Sequence, residues 1–506
     1  MDNSWVLLLA AVSALAFISK TIFKQKPQKN LPPGPNPWPI IGNLNLIAFD
    51  PRRSVQSLCQ KYGDIMLLKF GKFPVVIASS SEMARQFLKV HDAVFASRPA
   101  LAAGKFTGYD YKNTGWAPYG PHWIQARKIY HMEVFSDKKM ESFVHIRDEE
   151  RRGLVSRLCS LSGKTIMLKD HLSKYTLSIM CRMLISKKYF VESEHENSTL
   201  KDLESMVGEL LDLNGAFNIG DWIPWLSFLD LQGYVRKMKA LQKKLDKFHD
   251  YVIDDHEARR AAEKDFISKD LVDVLMQMAE DPNLEVKITR DHIKGLVQDL
   301  FNGGIDSTSN AIEWAIRETL GHPHVAEKAK AELDKVIGRK RWVEEKDLSQ
   351  LPYIDAIVME SLRLHPLATF LTYHYSIEDA KVAGYDIPKG TTVLINVWSI
   401  TRDPKTWDSP NDFLPERFLG KEVDVLLGSN FALLPFGSGR RRCPGLSFGL
   451  KVLRITLANL LHGFDLKLGE GVRVEDVSLE DMGTAVTRPK VPLAVVVEPT
   501  LPHDLY

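Results

Sequence analysis

The sequence is short of cysteine. Four in 506 residues, Cys59, Cys159, Cys181 and Cys443, are too few and too scattered for a disulfide framework, so the folded part is expected to face a reducing compartment. No two lie close in sequence, which argues against a closed zinc site or an iron–sulfur cluster, since both want several sulfur ligands. Neither sign of charge is in excess: 66 Lys and Arg against 64 Asp and Glu leave +2. The bases form no long block, so nothing calls for nucleic acid. Internal repeats and low-complexity tracts are absent. So is a convincing Rossmann or flavin fingerprint, and electrons for any redox chemistry must be imported.

What is present begins with an apolar run. Residues Trp5 to Ile18 are apolar apart from Ser13, and the stretch extends to Phe23, about the length of a spanning helix if Lys20 snorkels to the interface. Lys20, Lys24, Lys26 and Lys29 follow it, which places the bulk of the chain in the cytosol. A cleavable signal peptide would carry its charge before the apolar run, the reverse of this order. Leu31 to Pro39, with five prolines, cannot be helical and reads as a stiff spacer. The expected division is 1–29 membrane anchor and basic flank, 30–44 proline-rich hinge, and 45–506 catalytic domain, long enough to bury a prosthetic group.

Hydrophobic period predicts a β-hairpin over Asp64 to Ser79 and a second β-like stretch from Lys381 to Trp398, with Gly384, Pro388 and Gly390 as turn signals. Between them the period is helical. The clearest stripe, Ile293, Leu296, Val297, Leu300, Ile305, Thr308, Ile312, Ala315, Ile316 and Leu320, predicts one long helix. The fold class expected is mainly α with a small β part (α+β).

Cys443 sits in Phe436-Gly437-Ser438-Gly439-Arg440-Arg441-Arg442-Cys443-Pro444-Gly445. A glycine-rich turn lets backbone N–H groups converge on the sulfur, and three arginines raise the local potential, so both favour a thiolate able to ligate metal. With no second sulfur nearby, a single axial thiolate to haem iron is left. The plain alternative is a small buried hydrophobe. On the long helix, Gly303-Gly304-Ile305-Asp306-Ser307-Thr308 either opens the helix towards a cavity or lets a neighbouring helix pack closely.

The spacing of Phe436, Gly439, Arg441, Cys443 and Gly445 resembles the haem-binding signature of the cytochrome P-450 monooxygenases, and the resemblance runs from the apolar N-terminus to this loop. It implies that family's fold with an N-terminal transmembrane helix, and haem b with Cys443 as axial ligand. The Gly303–Thr308 segment resembles the family's oxygen-activation motif, with Ser307 where threonine is usual and Asn302 where a small apolar residue is usual. Asp306 and Ser307 are then expected to deliver protons. Trp123 and Arg127 match the Trp-x-x-x-Arg element that reaches the haem propionates, and Arg441 matches another propionate partner; His374 is a further candidate. Glu360-Ser361-Leu362-Arg363 and Pro415-Glu416-Arg417-Phe418 resemble the elements of a buried network, Glu360, Arg363 and Arg417, that supports the Cys443 loop. Pocket segments implied by the resemblance are Ala100 to Gly115, Leu210 to Phe217, Leu367 to Thr372 and Met482 to Val486, with Asn302, Leu367, Phe370 and Thr484 as substrate contacts.

Val382 to Gly390 look like the plant microsomal branch, which implies an endoplasmic reticulum membrane, a single span, and specialised metabolites as substrates. The expected reaction places one atom of O2 in a small apolar substrate and releases the other as water. Electrons would come from NADPH through a membrane flavoprotein reductase docking near Arg440 and Arg442. A haem-thiolate isomerase or dehydratase needing no O2, and a non-catalytic haem carrier, are the rivals.

Overall fold

The computed structural model describes residues 30–47, 51–188, 196–263 (backbone only for 196–201), 266–420, 428–469 and 487–506. The expected anchor, 1–29, lies outside them, as do Thr484 and the whole Met482–Val486 segment. Among the described residues no helix is long and apolar enough to cross a membrane.

The hairpin forms where the alternation predicts it. β1 (Ile65–Phe70) and β2 (Phe73–Ala78) pair antiparallel around Gly71, whose φ of +53° is open to glycine. The second β stretch is not continuous, because turns at Gly384 and Gly390, both at positive φ, divide it. β3 (Thr165–Met167) and β4 (His374–Tyr375) precede β5 (Ala380–Val382), β6 (Tyr385–Ile387) and β7 (Thr392–Ile395). Only β5 and β6 pair with each other, while β7 leaves to run parallel to β2 in the sheet β1-β2-β7-β4. β8 (Phe464–Leu468) and β9 (Ala494–Pro499) complete a third sheet, β3-β9-β8. These small sheets flank a helical body.

Eight helices matter for the site: α1 (Ala102–Phe106), α2 (Pro121–Glu133), α3 (Leu168–Ile185), α4 (Tyr234–Ala262), α5 (Arg290–Gly304), α6 (Asp306–Gly321), α7 (Pro352–Leu364) and α8 (Leu446–Gly463). α2 and α7 start on a proline, which loses no intrahelical bond there and has its φ preset. α5 starts on a capping box in which the Thr289 N–H donates to His292 Nδ1. α6 is buried on nearly every side from Thr308 to Thr319, packed by α3, α7 and α8.

The single long helix expected from the period is two, α5 and α6, interrupted at Ile305 with φ −87° and ψ −72°. Side-chain hydroxyls reach the carbonyls at the break. Ser307 Oγ donates to Gly303 O at 2.5 Å, and Thr176 Oγ1 of α3 and Ser309 Oγ both donate to Ile305 O, at 3.2 and 3.0 Å. Such hydroxyl bonds to the backbone bend helices. The two glycines have separate duties. A Cβ on Gly304 would meet Met180 Sδ at 2.5 Å, so Gly304 admits α3, whereas a Cβ on Gly303 would meet nothing within 4 Å.

Candidate functional site

Within a core helix, Gly303 is exposed and Asn302, Asp306 and Ser307 are half-buried, so the break presents an open face rather than a packed one. Cys443, set just before α8, is half-buried likewise, and α8 packs on α6. The loop geometry requires its glycines. Gly437 and Gly439 have φ +67° and +70°, and a Cβ on Gly439 would lie 2.2 Å from Leu88 O. The Cys443 N–H donates to Phe436 O at 2.9 Å, and Phe436 lies against Gly449 of α8, 3.6 Å from the position its Cβ would take.

The electrostatics of Cys443 differ from the expectation. Burial pushes the thiol up, opposed by one backbone N–H, that of Gly445, and by the charges of Arg127 and Arg442. The other two loop arginines turn away. Arg440 binds the Asp92 carboxylate at 2.8 Å and the Tyr119 hydroxyl at 2.9 Å, and Arg441 donates to the carbonyls of Ala96, Thr114 and Ala117 at 2.6, 3.0 and 2.5 Å. The loop alone therefore does not lower the thiol; a bound metal would take the proton's place.

Above the loop a cationic cluster forms around one indole. Trp123, 6% exposed, carries the Arg441 guanidinium 4.5 Å and the Arg127 guanidinium 5.6 Å from its ring centroid, each contact worth roughly 0.5–2 kcal/mol. Arg127 Nη2 also donates to Arg442 O at 2.8 Å. His374, in β4, donates from Nδ1 to Phe95 O at 3.1 Å; burial and then the Arg98 charge hold it down to about 3, so it is neutral. Arg98, which sequence reasoning missed, joins them, donating to the carbonyls of Gly115, Thr372 and Tyr373 at 3.1, 3.1 and 2.5 Å. Its only signal was a lone arginine before Pro99.

Among the described residues Arg98, Arg127 and Arg441 have no carboxylate partner. Burial pushes Arg98 down to about 9, and burial with repulsion from Arg98 and Arg127 pushes Arg441 down to about 8. Guanidinium does not deprotonate in proteins; the cluster instead calls for buried anions. The two propionates of haem b meet that call, with Cys443 as the axial donor. The residues fit the group.

Asp299 of α5, also missed, organises this region. Its carboxylate accepts from Asn113 Nδ2, Thr114 N and Oγ1, and Gly115 N at 2.8, 2.6, 2.7 and 3.1 Å. The carbonyls of Thr114 and Gly115 are the ones that hold Arg441 and Arg98.

The proton-delivery pair is arranged otherwise than expected. Asp306 is not free: Oδ2 accepts from Arg488 Nη2 at 3.1 Å, and Oδ1 lies 3.6 Å from Lys169 Nζ of α3. Asn302 leaves its amide oxygen buried without a partner. Leu367 and Phe370 are half-buried, and the same segment reaches the Cys443 loop, where Leu371 Cδ1 lies 3.6 Å from the Cβ position of Gly437.

Glu360 and Arg363 on α7 are fully buried and paired by two bonds, at 2.7 and 2.8 Å, and Arg417 Nε adds one to Glu360 at 2.9 Å. The spare N–H groups of the two arginines bind the carbonyls of Thr401, Asp408, Ser409, Pro410 and Asp412. What this network grips directly is the 401–417 segment.

A half-buried thiol before α8, a broken helix with an open face at Gly303 and a cluster of cations without carboxylate partners together define a haem-thiolate site on a mainly helical fold with small sheets. The family model described as Cytochrome P450 matches residues 32–496. A trimethyltridecatetraene synthase of Zea mays is 42% identical, covering 99% of this chain and 94% of the relative, and a flavonoid 3'-monooxygenase of Petunia hybrida is 39% identical, covering 97% and 96%. A solved structure of zebra fish cytochrome P450 with progesterone superposes with a TM-score of 0.76 at 25% identity, covering 89% of this chain and 99% of the neighbour. The chain belongs to the cytochrome P450 family. It is accordingly an oxygen-dependent haem-thiolate monooxygenase.

Proposed function

We propose that the protein inserts one oxygen atom of O2 into a small apolar plant specialised metabolite, with electrons drawn from NADPH through a membrane flavoprotein reductase. The observation that carries this reading is the cluster of Arg98, Arg127 and Arg441, buried without a carboxylate partner among the described residues, with Arg127 donating to the carbonyl of Arg442 beside Cys443. Haem b, held by Cys443 and thiolate-ligated as in other members of the family, supplies the oxidising chemistry. Arg98, Arg127 and Arg441 would bind its propionates, and His374, whose Nδ1–H is given to Phe95 O, would donate from Nε2 only once the propionate charge protonates it, with Trp123 ordering two of the guanidiniums and Phe436 backing the loop. Ser307 Oγ would turn its proton from Gly303 O towards the open face, and Asp306 would resupply it once released from Arg488 or Lys169.

The substrate side would be lined by Asn302, Leu367 and Phe370, with Thr484 assigned to it by the family resemblance alone. Relatives named for polyene hydrocarbon products and for flavonoid 3'-hydroxylation support an apolar or phenolic substrate. Electrons would enter on the side of Arg442; Arg440 is engaged by Asp92 at 2.8 Å.

The division 1–29 anchor, 30–44 hinge and 45–506 catalytic domain places the protein on the endoplasmic reticulum membrane with its catalytic part in the cytosol. The hinge carries exposed Trp38 and Ile40, and Gly42 bridges to Phe70. The β1–β2 turn at Gly71 touches Trp222, next to a 3-10 turn, Pro224–Leu229, that exposes Trp225 and Phe228. These apolar groups adjoin the chain leaving the anchor, as a membrane-facing surface would.

Incubation with reductase, NADPH and a plant metabolite library should give substrate-dependent NADPH consumption and an oxygenated product. Turnover without O2 or reductase would overturn the reading.

A further inference from the structure

Between α1 and the start of α4 lies a surface cleft of about 860 Å³, none of whose lining residues belongs to the Cys443 loop. Arg236, Lys239 and Lys243 line it from α4, at helix spacings of three and four that put them on one face, and Lys105 lines it from α1. None of the four cations is in an ion pair among the described residues. The cleft has two carboxylates, and both are committed to the backbone: Asp221 accepts from Ala102 N at 2.8 Å, and Asp230 accepts from Val235 N and Arg236 N at 3.1 and 2.9 Å. The cations' other company is aromatic. Lys239 and Lys105 lie 4.9 and 5.7 Å from the ring centroid of Phe106. Four cations against two backbone-bound carboxylates leave a net positive charge in a concave site that is partly walled by Phe106, Phe228 and Val235.

The rim is apolar. Phe228, which lines the cleft, is 80% exposed, and Trp225 and Leu231 are 62% and 61% exposed. Side chains of this size at such exposure, grouped beside a cationic cleft, mark an interaction surface. A free inorganic anion would use the lysines and leave the rim idle, whereas a lipid uses both, with its head among the cations and its acyl chains along Trp225, Phe228 and Leu231.

We infer that this cleft seats the headgroup of an anionic membrane phospholipid, phosphatidylserine in type, held by Lys105, Arg236, Lys239 and Lys243. The inference rests on the membrane-facing reading above and adds a lipid class and a site. The lipid would brace α1 against α4. On its inner side α1 continues into Thr107, whose carbonyl accepts from Gln298 of α5 at 2.6 Å, so the braced element borders the helix that carries the site.

The test titrates full-length, haem-loaded protein in neutral detergent with dihexanoyl phosphatidylserine, dihexanoyl phosphatidylcholine or inorganic phosphate, by calorimetry. Phosphatidylserine should bind saturably, and Lys239→Glu/Lys243→Glu should weaken it roughly tenfold or more, to the level of phosphatidylcholine. The reduced, carbon-monoxide-bound spectrum checks that the double variant is folded; if it is not, Lys239→Gln carries the comparison and should weaken binding several-fold. Equal binding of the two lipids, or no effect of the substitutions, overturns the lipid site. Phosphate binding as tightly as phosphatidylserine also overturns it, in favour of a free anion. Flotation of the full chain with phosphatidylcholine vesicles tests the membrane reading separately. A chain that floats but does not discriminate loses the lipid site alone, and a chain that does not float loses both.

Discussion

Ser307 and Asn302 carry the chemistry that sets this chain apart from the usual pattern of its family. Ser307 keeps a hydroxyl and lacks the methyl that stiffens χ1, and its proton is already donated to Gly303 O. Ser307→Ala should therefore lower product formed per NADPH and raise peroxide release, both measurable in one assay; unchanged coupling would move the role to Thr308 or an ordered water. The orphaned amide oxygen of Asn302 leaves a group whose isolation costs roughly 1–3 kcal/mol. A hydroxyl on the substrate would satisfy it and fix which carbon faces the iron. Asn302→Leu should then shift the position of oxidation as well as weaken binding, read from the product profile and the substrate-induced Soret change.

The elements act on the site through what they hold. α5 contributes Asp299, whose carboxylate accepts four bonds and so fixes the two peptides that cradle Arg441 and Arg98. Burial pushes this carboxyl up while Thr114 and its neighbours pull it down. Asp299→Asn keeps the shape but halves the acceptors, and should cost roughly 1–3 kcal/mol. It should also speed haem transfer to apomyoglobin and admit trypsin at Lys112, with Asp299→Glu restoring part of the loss. Wild-type haem retention in Asp299→Asn would show that the arginines are held without it. α7 acts at longer range: removing Glu360 would strand two buried guanidiniums, a loss of roughly 3–5 kcal/mol.

Taken as a whole, the molecule should lose stability in mild acid through histidines buried without charge. Burial holds His249, 2% exposed and hydrogen-bonded to Tyr109, down to about 4 from 6.5. Folded protein thus binds fewer protons than unfolded protein between those values, and stability present above 6.5 declines as pH falls through them. The loss should reach ~2 kcal/mol by about pH 5 for this one group, and His249→Asn should flatten the decline in urea midpoint with pH. The division of the chain makes a further expectation: protein beginning at Leu31 should still bind haem and turn over in detergent with reductase. Failure of a soluble, folded chain of that length to take up haem would count against the hinge.

The hairpin, the stripe through α5 and α6, the Cys443 turn and the Glu360–Arg363 pair were legible in the sequence because each is governed by neighbours a few residues apart: side-chain period, glycine φ, helix spacing. Distance in the chain hid the rest. Arg441 meets Ala96 O across 345 residues and Arg363 meets Asp412 O across 49, so the recruitment of Arg98 to the cationic cluster and the turning away of Arg440 and Arg441 from the sulfur could only follow from packing. The same holds for Asp306, which local spacing places beside Ser307 and which Lys169 and Arg488, from elements far away in sequence, draw into ion pairs. Local sterics decide which turn a segment makes, but which charge ends beside which is decided by the burial that forces distant segments together, where an unpaired charge is too costly to leave.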